Sequence, residues 1–218
     1  MLGVFLCLCV GGLLVGLVRG PTDPNAAPSV ARIVIGALTF QGAVLVLTWR
    51  FLREHGKNWA TGFGFRQRPK FAVAYGALVS ILFLPTGIAI QSAADVLLTL
   101  AGIESNMQQA VRVVRELKSG PGIIAMAVVT VLLAPLAEEF LFRGVLYPAV
   151  KQSGYPRVAL WGTAVLFAAI HLNLIAFFPL LVMALLLTAV YELTGNLMAS
   201  IAMHMLFNGI NFFRAVFM

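Results

Sequence analysis

Charge is scarce in this sequence. Only 11% of its 218 residues are Asp, Glu, Lys or Arg, whereas 61% are hydrophobic and the mean hydropathy is +0.96. Soluble domains carry roughly 25% charged residues, so an ordinary soluble globular protein is excluded. Intrinsic disorder is excluded too, because it requires low hydrophobicity and dense charge. Two cysteines, Cys7 and Cys9, are too few to predict a disulfide framework.

Acidic residues are the scarcer of the charged types. Eight of them stand against 15 lysines and arginines, which gives a net charge of +7. In so apolar a chain, this excess indicates basic loops facing the cytoplasm. No segment interleaves arginine with aromatic residues in a polar context. We therefore expect no nucleic-acid partner, and a lipid bilayer around the chain instead.

Apolar runs divide the sequence into membrane spans. A span takes about 20 apolar residues, and its backbone must satisfy its own hydrogen bonds in lipid, so each run predicts a helix. The runs cover about 1–18, 31–52, 71–94, 122–142, 157–176, 177–193 and 196–213. A short surface helix is predicted at 105–118, closed by Gly120 and Pro121. The prediction is an all-α, polytopic transmembrane bundle of about seven to eight helices, forming a single membrane domain over 1–218.

The loop between the second and third runs is the most basic part of the chain. Its charged residues are Arg50, Arg53, Glu54, Lys57, Arg66, Arg68 and Lys70. The positive-inside rule places this loop in the cytoplasm, and alternate counting places the N-terminus there as well. Arg143, Lys151 and Arg157 then fall on the same side. The expected location is a multi-pass protein of the cell membrane, with the charged end of the fourth run near the cytoplasmic boundary.

Polar side chains interrupt the apolar pattern in the C-terminal half. Ionisable groups inside spans cost about 2.5–3.5 kcal/mol each on insertion scales, so they indicate pairing, a cavity or chemistry. Glu139 and Arg143 are four residues apart on a helix and are predicted to pair. Glu138 points about 100° away from Glu139 and lacks this partner, so it is predicted to be a general base. One glutamate is thus expected to be structural and its neighbour chemical.

Two histidines also lie in apolar runs. His171, taken alone, is more often a satisfied core residue than a functional one. His204 and Asn208 are four residues apart on one helix face and supply two hydrogen-bond donors, as an oxyanion requires. Hydrogen bonding between helices is the other interpretation of that pair. Taken with Glu138, these side chains predict hydrolysis of an amide or ester by activated water, without a covalent intermediate.

A zinc site is the alternative mechanism. Glu138, His171 and His204 provide one carboxylate and two imidazoles, which would leave a coordination position open for water. The HExxH motif is absent, and Glu139 is the one further carboxylate expected nearby. We therefore favour a site without metal or other cofactor.

Three motifs in this half resemble those of the CPBP family, the CAAX prenyl endopeptidases and bacteriocin-processing proteins. Glu138 to Arg143 resembles EExxxR, Phe167 to His171 resembles FxxxH, and His204 to Asn208 resembles HxxxN. Thr194 to Leu197 resembles the turn that precedes the last motif. The resemblance covers about 120–213, the expected catalytic core.

The resemblance implies an intramembrane endopeptidase with a cavity open to the membrane. It implies that Glu138 and His171 activate the water and that His204 and Asn208 form the oxyanion hole. The Glu139–Arg143 pair would brace the site. The implied partner is a peptide or protein substrate, lipidated or membrane-bound. Members have been described both as glutamate proteases and as metalloproteases, so the resemblance leaves the metal question open.

A different class of protein remains as the alternative function. In a non-catalytic membrane transporter or a bacteriocin-immunity scaffold, the same polar groups would bind a substrate or relay protons. No duplicated halves are present in the sequence, which disfavours a transporter.

Overall fold

The computed structural model describes residues 30–103, 109–117 and 120–218. Over these residues the chain forms eight helices and no strand. They are α1 (Val30–Glu54), α2 (Trp59–Gly62), α3 (Pro69–Leu100), α4 (Gln109–Glu116), α5 (Gly120–Gln152), α6 (Pro156–Ala169), α7 (Leu174–Thr194) and α8 (Leu197–Phe217). The predicted all-α helical bundle is confirmed. The first predicted run, 1–18, lies outside the described residues.

Four of the described helices, α1, α3, α5 and α7, are long and apolar enough to cross a membrane. The chain is therefore a membrane protein. Helix α6 is apolar but has only 14 residues. At 1.5 Å per residue it is about 21 Å long, which is shorter than a hydrocarbon core of about 30 Å. Helix α6 alone is therefore too short to cross a hydrocarbon core.

Helix α5 contains two π-helical segments, Val128–Leu133 and Phe140–Leu146, between α-helical turns. The fourth run was predicted to end near residue 142, whereas the helix continues to Gln152, so Glu139 lies about 20 Å before its end. Arg143 does not end the helix because it is paired with Glu139 inside the protein. That these charges lie near the membrane boundary stays a prediction. Wide π turns of this kind often occur at functional sites.

The segment before α5 also differs from the prediction. The predicted surface helix is present as α4, while residues 104–108 and 118–119 lie outside the described residues. Val113 and Val114 are buried, and α4 packs against α8. Gly120 and Pro121 do not close α4 but begin α5. Proline is favoured in a first helical turn because no N–H is needed there.

The break between α6 and α7 falls at residues 170–173 and not at the predicted boundary near 176. Leu172 adopts a left-handed conformation with φ 49°. Asn173 then caps α7, because its side chain accepts a hydrogen bond from the Ala176 N–H at 2.9 Å. Pro179 lies inside α7. Non-helical backbone at membrane depth is tolerated where it lines a cavity or is buried in protein.

One end of the bundle gathers the cationic loops and is called the basic end below. The α1–α3 loop contacts the α7–α8 turn there, with Asn196 Nδ2 donating to the Gln67 carbonyl at 2.7 Å. The approach is close enough to require glycine, because a Cβ at Gly64 would lie 2.0 Å from the Gly195 carbonyl oxygen. Lys151 pairs with Glu192 at the same end. Which side of the membrane this end faces stays a prediction.

Helix α8 is the central element of the bundle, in contact with α3, α5 and α7. Its buried face carries Ala199 and Met203, which are fully inaccessible and pack in the core with Met183 and Leu187 of α7. The α3–α8 approach depends on Gly76, where a Cβ would lie 2.0 Å from the Ala199 carbonyl oxygen. This tight packing fixes the height at which α8 presents its polar residues to α5.

Candidate active site

A closed ionic network joins α5, α7 and α8 in the protein interior. Arg143 Nη1 and His204 Nδ1 each lie 2.9 Å from the same oxygen, Oε1 of Glu139. The three side chains are between 0 and 2% exposed. The predicted contact between Glu139 and Arg143 is thus present, with His204 as a third member.

The rest of the Arg143 guanidinium is held by α7. Its Nη2 donates to the Ala184 carbonyl at 2.9 Å, and its Nε lies 3.5 Å from Thr188 Oγ1. The guanidinium carbon also lies 4.8 Å from the centre of the Phe167 ring. Thr188 was not predicted as a site residue, because a threonine in an apolar run carries no motif. The one feature of the sequence that could have indicated Thr188 is that it interrupts a run of leucines near the depth expected for Arg143.

The network determines which nitrogen of His204 is available for chemistry. Because Arg143 donates to Glu139 Oε1, that carboxylate is an ionised acceptor, and Nδ1 of His204 must donate its proton to it. The other ring nitrogen, Nε2, faces Glu138, with 3.7 Å to Oε2. That distance is too long for a direct hydrogen bond and is suited to a water shared by both groups.

Glu138 differs from its neighbour in environment. Its side chain is 21% exposed, whereas that of Glu139 is 0% exposed. The predicted 100° offset between the two carboxylates thus places one inside the network and the other on an accessible side. Among the described residues, no arginine or lysine pairs with Glu138. It remains the open carboxylate of the site.

His171 lies in the break after α6, near the cluster but not in it. Its Nδ1 lies 2.7 Å from the Phe167 carbonyl oxygen and donates to it. In the neutral ring Nε2 is then a proton acceptor. The Phe167 ring centre is 5.0 Å from that of His171 and 5.8 Å from that of His204. Within the described residues, no hydrogen bond joins His171 to Glu138.

Asn208 lies one turn beyond His204 on α8. Its Nδ2 donates to the Thr130 carbonyl at 3.0 Å. Thr130 belongs to the first π segment of α5, where the altered turn leaves this carbonyl available to another helix. An amide has two N–H bonds, so one donor remains for a ligand. The structure does not hydrogen-bond Asn208 to the rest of the predicted site.

The alternative zinc set can be compared with this geometry. Among the described residues, no group of three or more His, Cys, Asp or Glu side chains is arranged to hold a metal ion. Glu138 and His204 face each other, and the Nδ1 bond of His171 to the Phe167 carbonyl leaves its Nε2 available. In the conformation observed, however, the three side chains are not gathered around one point.

Comparison with known proteins agrees with the motifs. Residues 120–210 match the family model described as Rce1-like, type II CAAX prenyl endopeptidase. This range contains all six residues predicted for the site. No curated protein and no solved structure matches the chain significantly. Over residues 120–210 the chain is therefore similar to the Rce1-like type II CAAX prenyl endopeptidases.

Proposed function

We propose that this protein is an intramembrane endopeptidase that hydrolyses peptide bonds with a water activated by Glu138 and His171. The family of its C-terminal half is one of peptidases. The observation that supports the mechanism best is the arrangement of three groups. An open carboxylate lies 3.7 Å from an imidazole nitrogen whose opposite side is locked by a buried carboxylate.

Glu138 is the proposed proton acceptor. A water between its carboxylate and the scissile carbonyl gives one proton to Glu138, and the hydroxide attacks the carbonyl carbon. His171 assists from the helix break, where its accepting Nε2 orients the water. The tetrahedral intermediate then collapses, and the proton on Glu138 passes to the leaving amine. This cycle returns the carboxylate without a covalent intermediate.

His204 is the proposed oxyanion donor, and its contact with Glu139 determines which of its nitrogens can donate. Because Nδ1 is committed to Glu139, His204 can donate from Nε2 only as an imidazolium. Two carboxylates, Glu138 and Glu139, then balance two cations, Arg143 and His204. When Glu138 takes the proton from water, the negative charge moves onto the substrate oxygen beside the imidazolium. The net charge of the site stays constant, which favours the step in a low-dielectric interior.

Asn208 is the proposed second donor to the oxyanion. Its bond to the Thr130 carbonyl fixes the amide plane and leaves one N–H for the substrate. The anchor lies on α5, the helix that also carries Glu138. The general base and the oxyanion donor are therefore positioned by the same helix.

The proposed substrate is a peptide or protein segment that reaches the site from the bilayer, either lipidated or membrane-bound. The matched family is named for prenylated CAAX peptides. The non-helical residues 170–173 that follow α6 give a substrate in the bilayer a route toward His171, because α6 is too short to span the membrane.

The experiment is cleavage of a peptide library by the protein reconstituted in lipid. We expect the wild type to yield defined products by mass spectrometry and E138A, H171A, H204A and N208A to lose them. E54A and H55A, which alter exposed residues at and directly after the end of α1, should cleave normally. Equal cleavage by the four site variants and the wild type would contradict the assignment. Substrate transport without a cleavage product would favour the transporter alternative.

Metal dependence is tested separately on the purified protein. We propose that no cofactor is needed, so chelation should leave cleavage unchanged. Stoichiometric zinc by elemental analysis, with loss of turnover on its removal and recovery on its return, would establish the zinc alternative. Elemental analysis of purified E138A would then show whether the Glu138 carboxylate binds the zinc.

A further inference from the structure

A basic pocket at the basic end lies outside the candidate active site. Its volume is about 550 Å³, and its lining residues are Arg66, Gln67, Arg68, Phe71, Leu193 and Thr194. Both arginines are exposed, and neither forms an ion pair with another described residue. No lining residue is acidic. The nearest glutamate along α7, Glu192, is paired with Lys151, so the two guanidinium charges of the pocket are uncompensated.

The pocket also borders apolar surface. Phe71 is 55% exposed and Leu193 is 71% exposed. Phe71 lies in the first turn of α3 and Leu193 near the last residue of α7, and both helices are candidate membrane spans. The charged and apolar parts therefore meet where spans begin and end, which is the depth of lipid headgroups.

The chemistry of the lining favours a phosphate. A guanidinium presents a planar fork of N–H donors that binds two oxygens of a phosphate at once. Helix α3 begins at Pro69, and the partial positive charge of its N-terminus lies at the same place as Arg68. The apolar border distinguishes a lipid from a free ion, because inorganic phosphate gains nothing from Phe71 or Leu193.

We propose that this pocket binds the phosphate headgroup of an anionic phospholipid, with Arg66 and Arg68 on the phosphate and the acyl chain against Phe71 and Leu193. The site is built on the segment that positions α8. Besides the Asn196–Gln67 bond, the Leu197 N–H donates to the Phe63 carbonyl at 3.0 Å. A bound headgroup thus lies on the junction between the α1–α3 loop and the helix that carries His204.

The test uses native mass spectrometry to measure how much phosphatidylglycerol and how much phosphatidylcholine the full-length purified protein retains. We expect wild type to retain phosphatidylglycerol in preference to phosphatidylcholine. R66Q/R68Q should weaken that binding by about tenfold or more, because each cation near a lipid surface contributes about fivefold. K57Q/R157Q is the matched control, since it removes two exposed cations outside the pocket and should change binding less than about twofold.

Further arms keep the result interpretable. R66K/R68K retains both charges but lacks the planar fork, so it should bind phosphatidylglycerol more weakly than wild type. If R66Q/R68Q does not fold, wild-type binding by R66K/R68K would contradict the role of the two guanidinium groups. Equal losses in the two glutamine variants would overturn the proposal, because net charge alone would explain them. Displacement of the lipid by millimolar inorganic phosphate would also overturn it, since the site would then recognise a soluble anion. Unchanged binding in a folded R66Q/R68Q would do the same.

Discussion

The candidate site has a closed half and an open half, and adjacent residues of one helix belong to different halves. Glu139, Arg143 and His204 form the closed half, where at most 2% of any side chain is exposed. Glu138 and His171 form the open half: both side chains are partly exposed, and His171 lies in the break after α6. The difference shows how two adjacent glutamates, Glu138 and Glu139, come to have different roles. The carboxylate with bound cations holds helices together, and the one without them remains available for a proton.

The closed half is a specific but costly way to join three helices. Removing two charges from water is expensive, and the cost is recovered only when every group finds partners. Arg143 meets this condition with Glu139, the Ala184 carbonyl and Thr188. Removal of one partner leaves a buried charge unpaired, which is far more damaging than the loss of an exposed pair.

The largest effect should come from E138Q, which neutralises the open carboxylate. Loss of a general base typically slows a reaction about 10²–10⁴-fold. We expect turnover to fall in that range while the thermal unfolding midpoint stays at the wild-type value. If E138Q and E139Q are equally well folded and lose equal activity, the proposed difference between the two halves is contradicted.

E139Q should act mainly on stability. It leaves Arg143 buried without a counter-charge, which typically costs about 3–5 kcal/mol. The matched control is E192Q, which removes a carboxylate from the 40%-exposed pair with Lys151 and should cost about 1 kcal/mol or less. Thermal unfolding in one detergent compares the two. Equal destabilisation by both variants would show that burial of the network contributes nothing.

N208A should lower turnover with a smaller effect on folding. Removal of one oxyanion donor typically costs about 10²–10³ in kcat. N211A is the control on the same helix, because Asn211 Nδ2 donates to the Phe207 carbonyl within α8. We expect N211A to retain turnover within about threefold. If both variants lost activity equally, a general effect of the polar side chains of α8 rather than oxyanion stabilisation would explain Asn208.

The smallest effect should come from T188V, which keeps the shape of the side chain and removes one acceptor from Arg143. A hydrogen bond of this kind contributes about 1 kcal/mol. T163V is the matched control, because Thr163 is also buried and donates to the carbonyl four residues earlier, but it has no arginine beside it. Thermal unfolding should show T188V as the less stable of the two. Equal midpoints would remove Thr188 from the closed half.

Much of the site was predictable because it depends on local helical geometry. The contact between Glu139 and Arg143 follows from their four-residue spacing, and the separation of Glu138 from Glu139 follows from the 100° advance per residue. Both features need only one helix. The roles of His171, His204 and Asn208 stay predictions, since they depend on chemistry.

The position of the site within the bundle was not predictable. Arg143 lies in the interior because Glu139 supplies its counter-charge and because Ala184 and Thr188, on another helix, accept its other N–H groups. The end of α6 was placed too late, because residues 170–173 contain neither proline nor glycine and apolar residues continue on both sides of them. Only the left-handed turn and the Asn173 cap separate α6 from α7.

Composition and spacing by themselves determined that this chain is a helical membrane protein and which residues share a helix face. Hydropathy and the helical period are properties of short stretches, so no partner is needed to read them. The tertiary structure decided that Glu139 is shared by Arg143 and His204, that Nε2 of His204 faces Glu138, and that Asn208 is anchored to a π segment. Those contacts join residues up to 78 positions apart, and packing between helices, which no local pattern encodes, brings them together.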